Sequence, residues 1–206
     1  MSRQEIFTDI YTNAKWGDKE TKSGEGSLLA NTTTLRTFLP GFLRRFGIRT
    51  LIDAPCGDYN WFKSCAVNLD SYIGLDIVPA MIEDVQKRYG DSKHTFRVAD
   101  ICVDPIPRAD VILCRDCLMH LSDEDAIKAI RNFVKSGSTY ALLTTNPKNP
   151  SNVSIQTGGF RHCNLTKPPF NFPEPIALLQ EHFQAYSGMF DDKSLGLWKL
   201  EDLAKL

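Results

Sequence analysis

The chain has 206 residues, 42% of them hydrophobic and 24% charged, with a formal net charge of −1. That length is enough to bury one α/β core, and the near-neutral charge argues against broad binding to nucleic acid or anionic membranes, which favour a basic surface. No stretch nears the roughly 18 apolar residues of a membrane span, and residues 1–5 lack the apolar segment of a secretion signal.

In chain order, a short helix is expected over residues 4–13. A glycine-rich stretch follows, Ser23-Gly24-Glu25-Gly26-Ser27, which reads as a loop or a lid over a site. Asn31 or Thr32 can cap a helix whose apolar positions Leu35, Phe38, Leu39, Phe42, Leu43 and Phe46 keep helical spacing, interrupted by Pro40 and ended by Gly47. A regular alternation then begins. It predicts a strand at 50–54, a helix at 60–66, a strand at 72–76, and a helix from Pro79 to Tyr89 stopped by Gly90. Strands at 95–99 and 110–114 follow. Ser122-Asp123-Glu124-Asp125 starts a helix to about residue 136, with acids at the positive end of its dipole. A fifth strand is expected at 139–145. Residues 146–172 form a long, proline-rich loop of the functional kind. Residues 173–182 read as a helix, and strands at 183–190 and 195–200 close the chain as an antiparallel hairpin. The whole is one domain, 1–206, with residues 1–48 as an N-terminal cap or lid and 49–206 as a Rossmann-like α/β core with a mostly parallel sheet.

Three apolar runs of this core end in Asp53, Asp76 and Asp100, and a fourth runs into Arg115-Asp116. This spacing puts acidic side chains along the carboxyl edge of a parallel sheet, where open α/β sheets bind ligands. The first turn, Ala54-Pro55-Cys56-Gly57-Asp58, holds one glycine. A dinucleotide site needs three there to admit a pyrophosphate, so NAD and FAD are disfavoured, and no phosphate-binding P-loop occurs. S-adenosylmethionine (SAM) has no phosphate and presents an ammonium, ribose hydroxyls and an adenine. Asp76 is placed for the ribose. Asp100 can face the adenine amino group, with Ile77 and Ile101 against the ring faces. Of the six cysteines, Cys114 and Cys117 form one C-x-x-C. It has neither a second pair nor histidines at ligand spacing, so no metal is expected. A reducing, cytoplasmic setting fits.

The segments Ile52-Asp53-Ala54-Pro55-Cys56-Gly57-Asp58, Tyr72-Ile73-Gly74-Leu75-Asp76-Ile77, Val98-Ala99-Asp100-Ile101 and Asp110 to Leu121 stand in order and at matching spacing. Over residues 50–146 the chain resembles the class I SAM-dependent methyltransferases. The resemblance implies a seven-stranded, mostly parallel sheet with helices on both faces and an antiparallel seventh strand. It also implies SAM as cofactor and S-adenosylhomocysteine (SAH) as product. Cofactor contacts are expected at Asp53, Ala54, Pro55, Cys56, Gly57, Asp58, Asp76, Ile77, Asp100, Ile101 and Arg115. Many members carry G-x-G in the first turn, and this chain departs from that. A narrower set is Trp16-Gly17, the 23–27 loop, Cys56-Gly57-Asp58-Tyr59-Asn60-Trp61 and Arg161-His162-Cys163-Asn164-Leu165 with Pro169-Phe170. It is similar to short bacterial and viral methyltransferases found beside, or fused to, glycosyltransferases. That implies O-methylation of a sugar hydroxyl in a glycan, with a glycosyltransferase as partner.

A sugar hydroxyl is a poor nucleophile until its proton leaves, so a base within hydrogen-bond reach is expected. The segment after the fourth strand offers His120 as that base and Asp116, four residues earlier, as its orienting partner. Asp58 is the alternative base, with cradling of the cofactor's ammonium as its competing role. Tyr59 and Trp61 can stack on a sugar ring, and Arg161, His162 and Asn164 in the long loop can contact substrate. Rival readings are a small-molecule O-methyltransferase and a catalytically silent SAM-binding scaffold. Base methylation of nucleic acid lacks its [DN]-P-P-[YF] signature after the fourth strand.

Overall fold

The computed structural model describes residues 1–17, 19–182 and 192–204. The elements are α1 (Arg3–Thr12), α2 (Thr33–Arg45), β1 (Thr50–Asp53), β2 (Ser71–Asp76), α3 (Pro79–Tyr89), β3 (His94–Val98) and β4 (Val111–Cys114). They continue with α4 (Asp123–Lys135), β5 (Tyr140–Thr145), β6 (Ala177–Gln180), β7 (Ser194–Lys199) and α5 (Leu200–Leu203). The strands form one seven-stranded sheet in the order β3-β2-β1-β4-β5-β7-β6. The first five strands are parallel, and β7 runs antiparallel to both β5 and β6. This is the class I methyltransferase architecture expected from the sequence.

The strands carry apolar side chains on both faces, as a doubly covered sheet requires. Along β4, Val111 and Leu113 join one buried cluster with Leu35, Leu39 and Leu43 of α2 and Ile82 and Val85 of α3. Ile112 and Cys114 join the other, with Ala126, Ala129, Ile130 and Phe133 of α4. The spacing of Leu35, Leu39 and Leu43 keeps one stripe of α2 inward. The helix runs through Pro40, whose missing N–H leaves the Arg36 carbonyl without its intrahelical donor.

Two expectations are corrected. Residues 60–66 do not form a helix; only a 3-10 turn, Phe62–Ser64, spans the β1–β2 crossover. Tyr59 adopts φ +61°, which an α-helix cannot contain, and Asn60 donates to Glu20 Oε1 (2.7 Å) and Ser27 O (3.0 Å) rather than facing solvent. Residues 173–182 are not a helix either. Pro173 and Pro175 remove donors at its start, and the Ala-Leu-Leu-Gln run pairs with β7 as an edge strand. Tertiary pairing here overrides local helix propensity. The closing hairpin is thus β6 with β7, and the strand expected at 183–190 lies outside the described residues. All six cysteines are free thiols. No helix among the described residues is long and apolar enough to cross a membrane.

Candidate active site

The strand order reverses between β1 and β4, and a crevice opens at the carboxyl ends beside that switch point. The pocket there holds about 1020 Å³ including its solvent-open mouth. Its floor and walls include Asp53 at the end of β1, Pro55, Cys56 and Gly57 of the first turn, and Asp76 and Ile77 after β2. Asp100 and Ile101 follow β3, and Arg115, Asp116 and His120 follow β4. Eleven of the expected cofactor and catalytic residues therefore converge with Trp61 in one cavity.

Asp53 and Asp76 are both buried. Asp53 accepts from Tyr72 Oη at 2.8 Å, and desolvation pushes its carboxyl up to about 7 against the pull of that hydrogen bond and of Arg115. Asp76 accepts from Gly57 N at 3.2 Å and Val78 N at 3.0 Å. Burial raises it to about 6, opposed by those backbone donors. Two desolvated carboxylates facing a cavity with apolar sides from Ile77, Met81 and Ile101 suit a cation-bearing nucleoside. That donor set fits SAM, with Asp53, Asp76 and Asp100 as the residues that would hold it.

Arg115 is buried and bidentate to Glu181, at 3.2 Å from Nε to Oε1 and 2.7 Å from Nη2 to Oε2. It also donates to Gly26 O at 2.9 Å and lies 5.1 Å from the Trp61 ring centroid. Lys193 Nζ sits 2.6 Å from Asp116 Oδ2 and 3.3 Å from Glu181 Oε2. Two cations and two carboxylates, from the segments just after β4, just after β6 and just before β7, thus interlock at the pocket wall. Asp116 is held well below the usual carboxylate range, by Arg115 and then Lys193, despite its burial. Its backbone is left-handed, φ +52°.

This geometry corrects the expected pairing of Asp116 with His120. His120 Nδ1 instead meets Gly159 O at 2.7 Å. A carbonyl can only accept, so Nδ1 carries the proton and Nε2 is the basic nitrogen. Burial lowers the imidazole's pKa below its ordinary value, partly offset by the Gly159 bond and Asp116. A neutral ring with a defined tautomer therefore borders the cavity. Trp16 stacks on it at a centroid distance of 4.4 Å.

Other expected site residues stand elsewhere. Ala54 is buried under the turn and donates from its N–H to Leu113 O. Asp58 accepts from Thr21 Oγ1 (2.8 Å), Lys22 N (2.8 Å), Ser23 Oγ (3.0 Å) and Asn60 N (3.2 Å). It fastens the glycine-rich segment to the first turn, leaving neither a base nor an ammonium cradle. Tyr59 is buried among Phe62, Tyr72, Tyr89 and Phe96. Arg161 is fully buried, pairs with Asp123 and donates to Leu121 O and Val153 O. Asn164 donates to Pro147 O (3.0 Å) and Asn149 O (2.8 Å), and His162 packs its ring on Phe160. None of these lines the pocket. A loop of this length has many backbone groups to satisfy, and Arg161 and Asn164 serve that need.

Sequence reasoning did not single out Arg3, Phe7, Ile10, Tyr11 and Lys22, which line the pocket from the N-terminal segment together with Trp16 and with Ser23 and Ser27 of the expected loop or lid. Gly57 has φ +56°, and a Cβ there would come 2.4 Å from Ser23 Oγ; one on Gly26 would come 2.6 Å from Asp116 Oδ2. Those close approaches explain the glycines of both loops. No sequence signal pointed to Glu181 or Lys193. Among the described residues no cluster of three or more His, Cys, Asp or Glu is arranged to hold a metal ion.

Residues 52–142 match the family model of a methyltransferase domain. The fold resembles human N-acetylserotonin methyltransferase solved with SAM, at a TM-score of 0.66 and 12% identity over 97% of this chain. The chain spans 60% of that protein's length. It also resembles the Synechocystis magnesium protoporphyrin IX methyltransferase with bound SAM, at a TM-score of 0.58 and 14% identity over 97% of each chain. The same enzyme with bound SAH matches over 71% of this chain and 72% of that one, at a TM-score of 0.52 and 18% identity. A sequence search of curated proteins returned no match.

Proposed function

We propose that this chain, whose residues 52–142 match the model of a methyltransferase domain, uses SAM to methylate a sugar hydroxyl of a glycan, with His120 as general base. The observation that carries the proposal is the bond from His120 Nδ1 to Gly159 O, which leaves Nε2 to take a proton at the pocket. A hydroxyl needs such a base; a nitrogen acceptor needs it less. SAM supplies an electrophilic methyl group with a neutral thioether as leaving group. The chain's part is mostly positioning. Asp76 would accept from the ribose hydroxyls, Asp100 from the adenine amine, and Asp53 would face the cationic end. His120 Nε2 would take the proton of the acceptor hydroxyl as its oxygen bonds to the methyl carbon. Burial keeps that imidazole neutral at physiological pH, so it is ready to accept. Trp16 and Phe160, with centroids 4.4 Å and 5.8 Å from the His120 ring, offer aromatic surface near the proposed base on which a sugar's C–H surface can lie. Phe160 is 46% exposed. A glycosyltransferase that builds the acceptor is the partner this reading implies.

A second reading is a small-molecule hydroxyl acceptor. It is favoured by the N-terminal segment, which walls the mouth with Tyr11, Trp16 and Lys22 and narrows access for a long chain. Incubation of candidate glycans and phenols with methyl-labelled SAM, read by mass spectrometry, decides between them. Gain of one methyl on a sugar is the expected result, and labelling of small phenols alone would refute the glycan reading.

A further inference from the structure

α1 lies across one end of the pocket, and its first residues are firmly built. Ser2 and Glu5 form a reciprocal capping box, with Ser2 N donating to Glu5 Oε2 at 2.6 Å and Glu5 N donating to Ser2 Oγ at 3.2 Å. That fixes the direction in which Arg3 leaves the helix. Gln4 Nε2 donates to Ile77 O at 3.2 Å, and Ile10 is buried. Arg3 then reaches two acids from different elements. Its Nε and Nη2 lie 2.8 Å from Asp100 Oδ2, and its Nη1 lies 2.7 Å from Asp125 Oδ1 in the first turn of α4. The three side chains are only 14–21% exposed, so this is a half-buried fork rather than a surface pair.

Asp100 is also fixed from below. Its Oδ1 accepts from Cys102 N at 2.9 Å, and its own N–H donates to Asp104 Oδ2 at 2.8 Å. Arg3, Ile77, Asp100, Ile101 and Phe7 all line the same cavity, whereas Asp125 does not.

We infer that Arg3 is a cofactor-site residue: bridging Asp100 and Asp125, it closes the adenine end of the SAM pocket and locks α1 over it. The inference rests on the cofactor orientation given under Proposed function. The guanidinium plane orients Asp100 toward the ring and excludes water from that end. In that orientation the sulfonium would lie toward His120, at the other end of the pocket lining, so Arg3 would act on the adenosine moiety and not on the methyl group. Asp125 consequently supports cofactor affinity without touching the pocket.

Calorimetric titration of the full chain with SAM and with SAH tests this, with circular dichroism to confirm folding. Arg3→Ala is expected to weaken both ligands equally, by about tenfold for loss of a charge-assisted contact. Arg3→Lys, which keeps the charge but cannot fork between two carboxylates, should fall in between. Asp125→Asn should weaken both ligands in the native background and add nothing to Arg3→Ala. Unchanged or tighter binding in Arg3→Ala, weakening of SAM alone, or an additive effect of Asp125→Asn each overturns the inference. Asp100→Asn separates the two readings. Unchanged SAM affinity there refutes the adenine placement, whereas weakening there with none in Arg3→Ala refutes only the role of Arg3.

Discussion

Glu181→Ala is expected to be among the most damaging single substitutions in this protein, although Glu181 takes no part in the proposed chemistry. Its side chain is wholly out of water, and so nearly is that of Lys193, at 4%. Glu181 takes two hydrogen bonds from Arg115 and lies 3.3 Å from Lys193 Nζ. Removing it leaves two buried cations facing the single carboxylate of Asp116. Breaking a buried ion pair from one side costs about 3–5 kcal/mol, because an uncompensated charge stays behind. For a chain of this size that lowers the melting temperature by roughly 6–20 °C. Urea unfolding monitored by tryptophan fluorescence measures the cost as a lower midpoint at unchanged slope. Glu181→Gln keeps the shape without the charge and should retain part of the stability. Adding Lys193→Ala to Glu181→Ala restores one cation against one anion. The double variant should therefore cost clearly less than the sum of the two singles. A Glu181→Ala loss below about 1 kcal/mol, the scale of exposed pairs, or strict additivity would refute the account of the cluster as one interlocked unit.

Three further outcomes are expected. His120→Ala should lower turnover by about 10²–10⁴-fold, the usual worth of general base catalysis, while calorimetry finds SAM affinity unchanged; near-normal turnover would remove His120 as base. Asp53 and Asp76 titrate near 7 and 6 in the folded chain, above their ordinary value of 3.8. Their raised pKa values favour the folded state at low pH and lose that contribution as pH rises through 6–7. A bound cation favours the carboxylates, so SAM affinity should rise between pH 5 and 8 with proton release, read by calorimetry in buffers of different ionisation enthalpy; pH-independent affinity would contradict the placement of these acids. Asp58→Ala removes the carboxylate that Thr21, Lys22 and Ser23 bond to, leaving the residue 58 N–H to Ser23 Oγ bond in place, and limited proteolysis should then cut within residues 19–27 faster than in the native chain, with SAM affinity reduced. Equal cleavage rates would show that the segment is held by other contacts.

The sequence determined the frame. Apolar runs every two dozen residues, each ending in an acid, are sufficient to place Asp53, Asp76 and Asp100 at one sheet edge, because a parallel sheet aligns the ends of its strands. The helix over 79–89 and the one starting after Ser122 were equally legible, since Pro79, Gly90 and Ser122 mark their ends locally. His120 was legible as a candidate because it follows β4 at a short distance. Its partner was not. A four-residue spacing pairs side chains only on a helix, and Asp116 sits in a left-handed bend with only a 3-10 turn after it. The carbonyl that orients His120 comes from Gly159, 39 residues away. Tertiary structure alone likewise decided that residues 177–180 form a strand, where an open edge at β7 outweighs helix propensity. It brought Glu181 and Lys193 under Arg115, where desolvation demands opposite charges whatever their place in the chain. It also laid Arg3 and Trp16 over the pocket. Local patterning fixes where a chain turns and which residues face inward. Which distant side chains meet is set by packing, and here those meetings close the cofactor pocket and orient the proposed base.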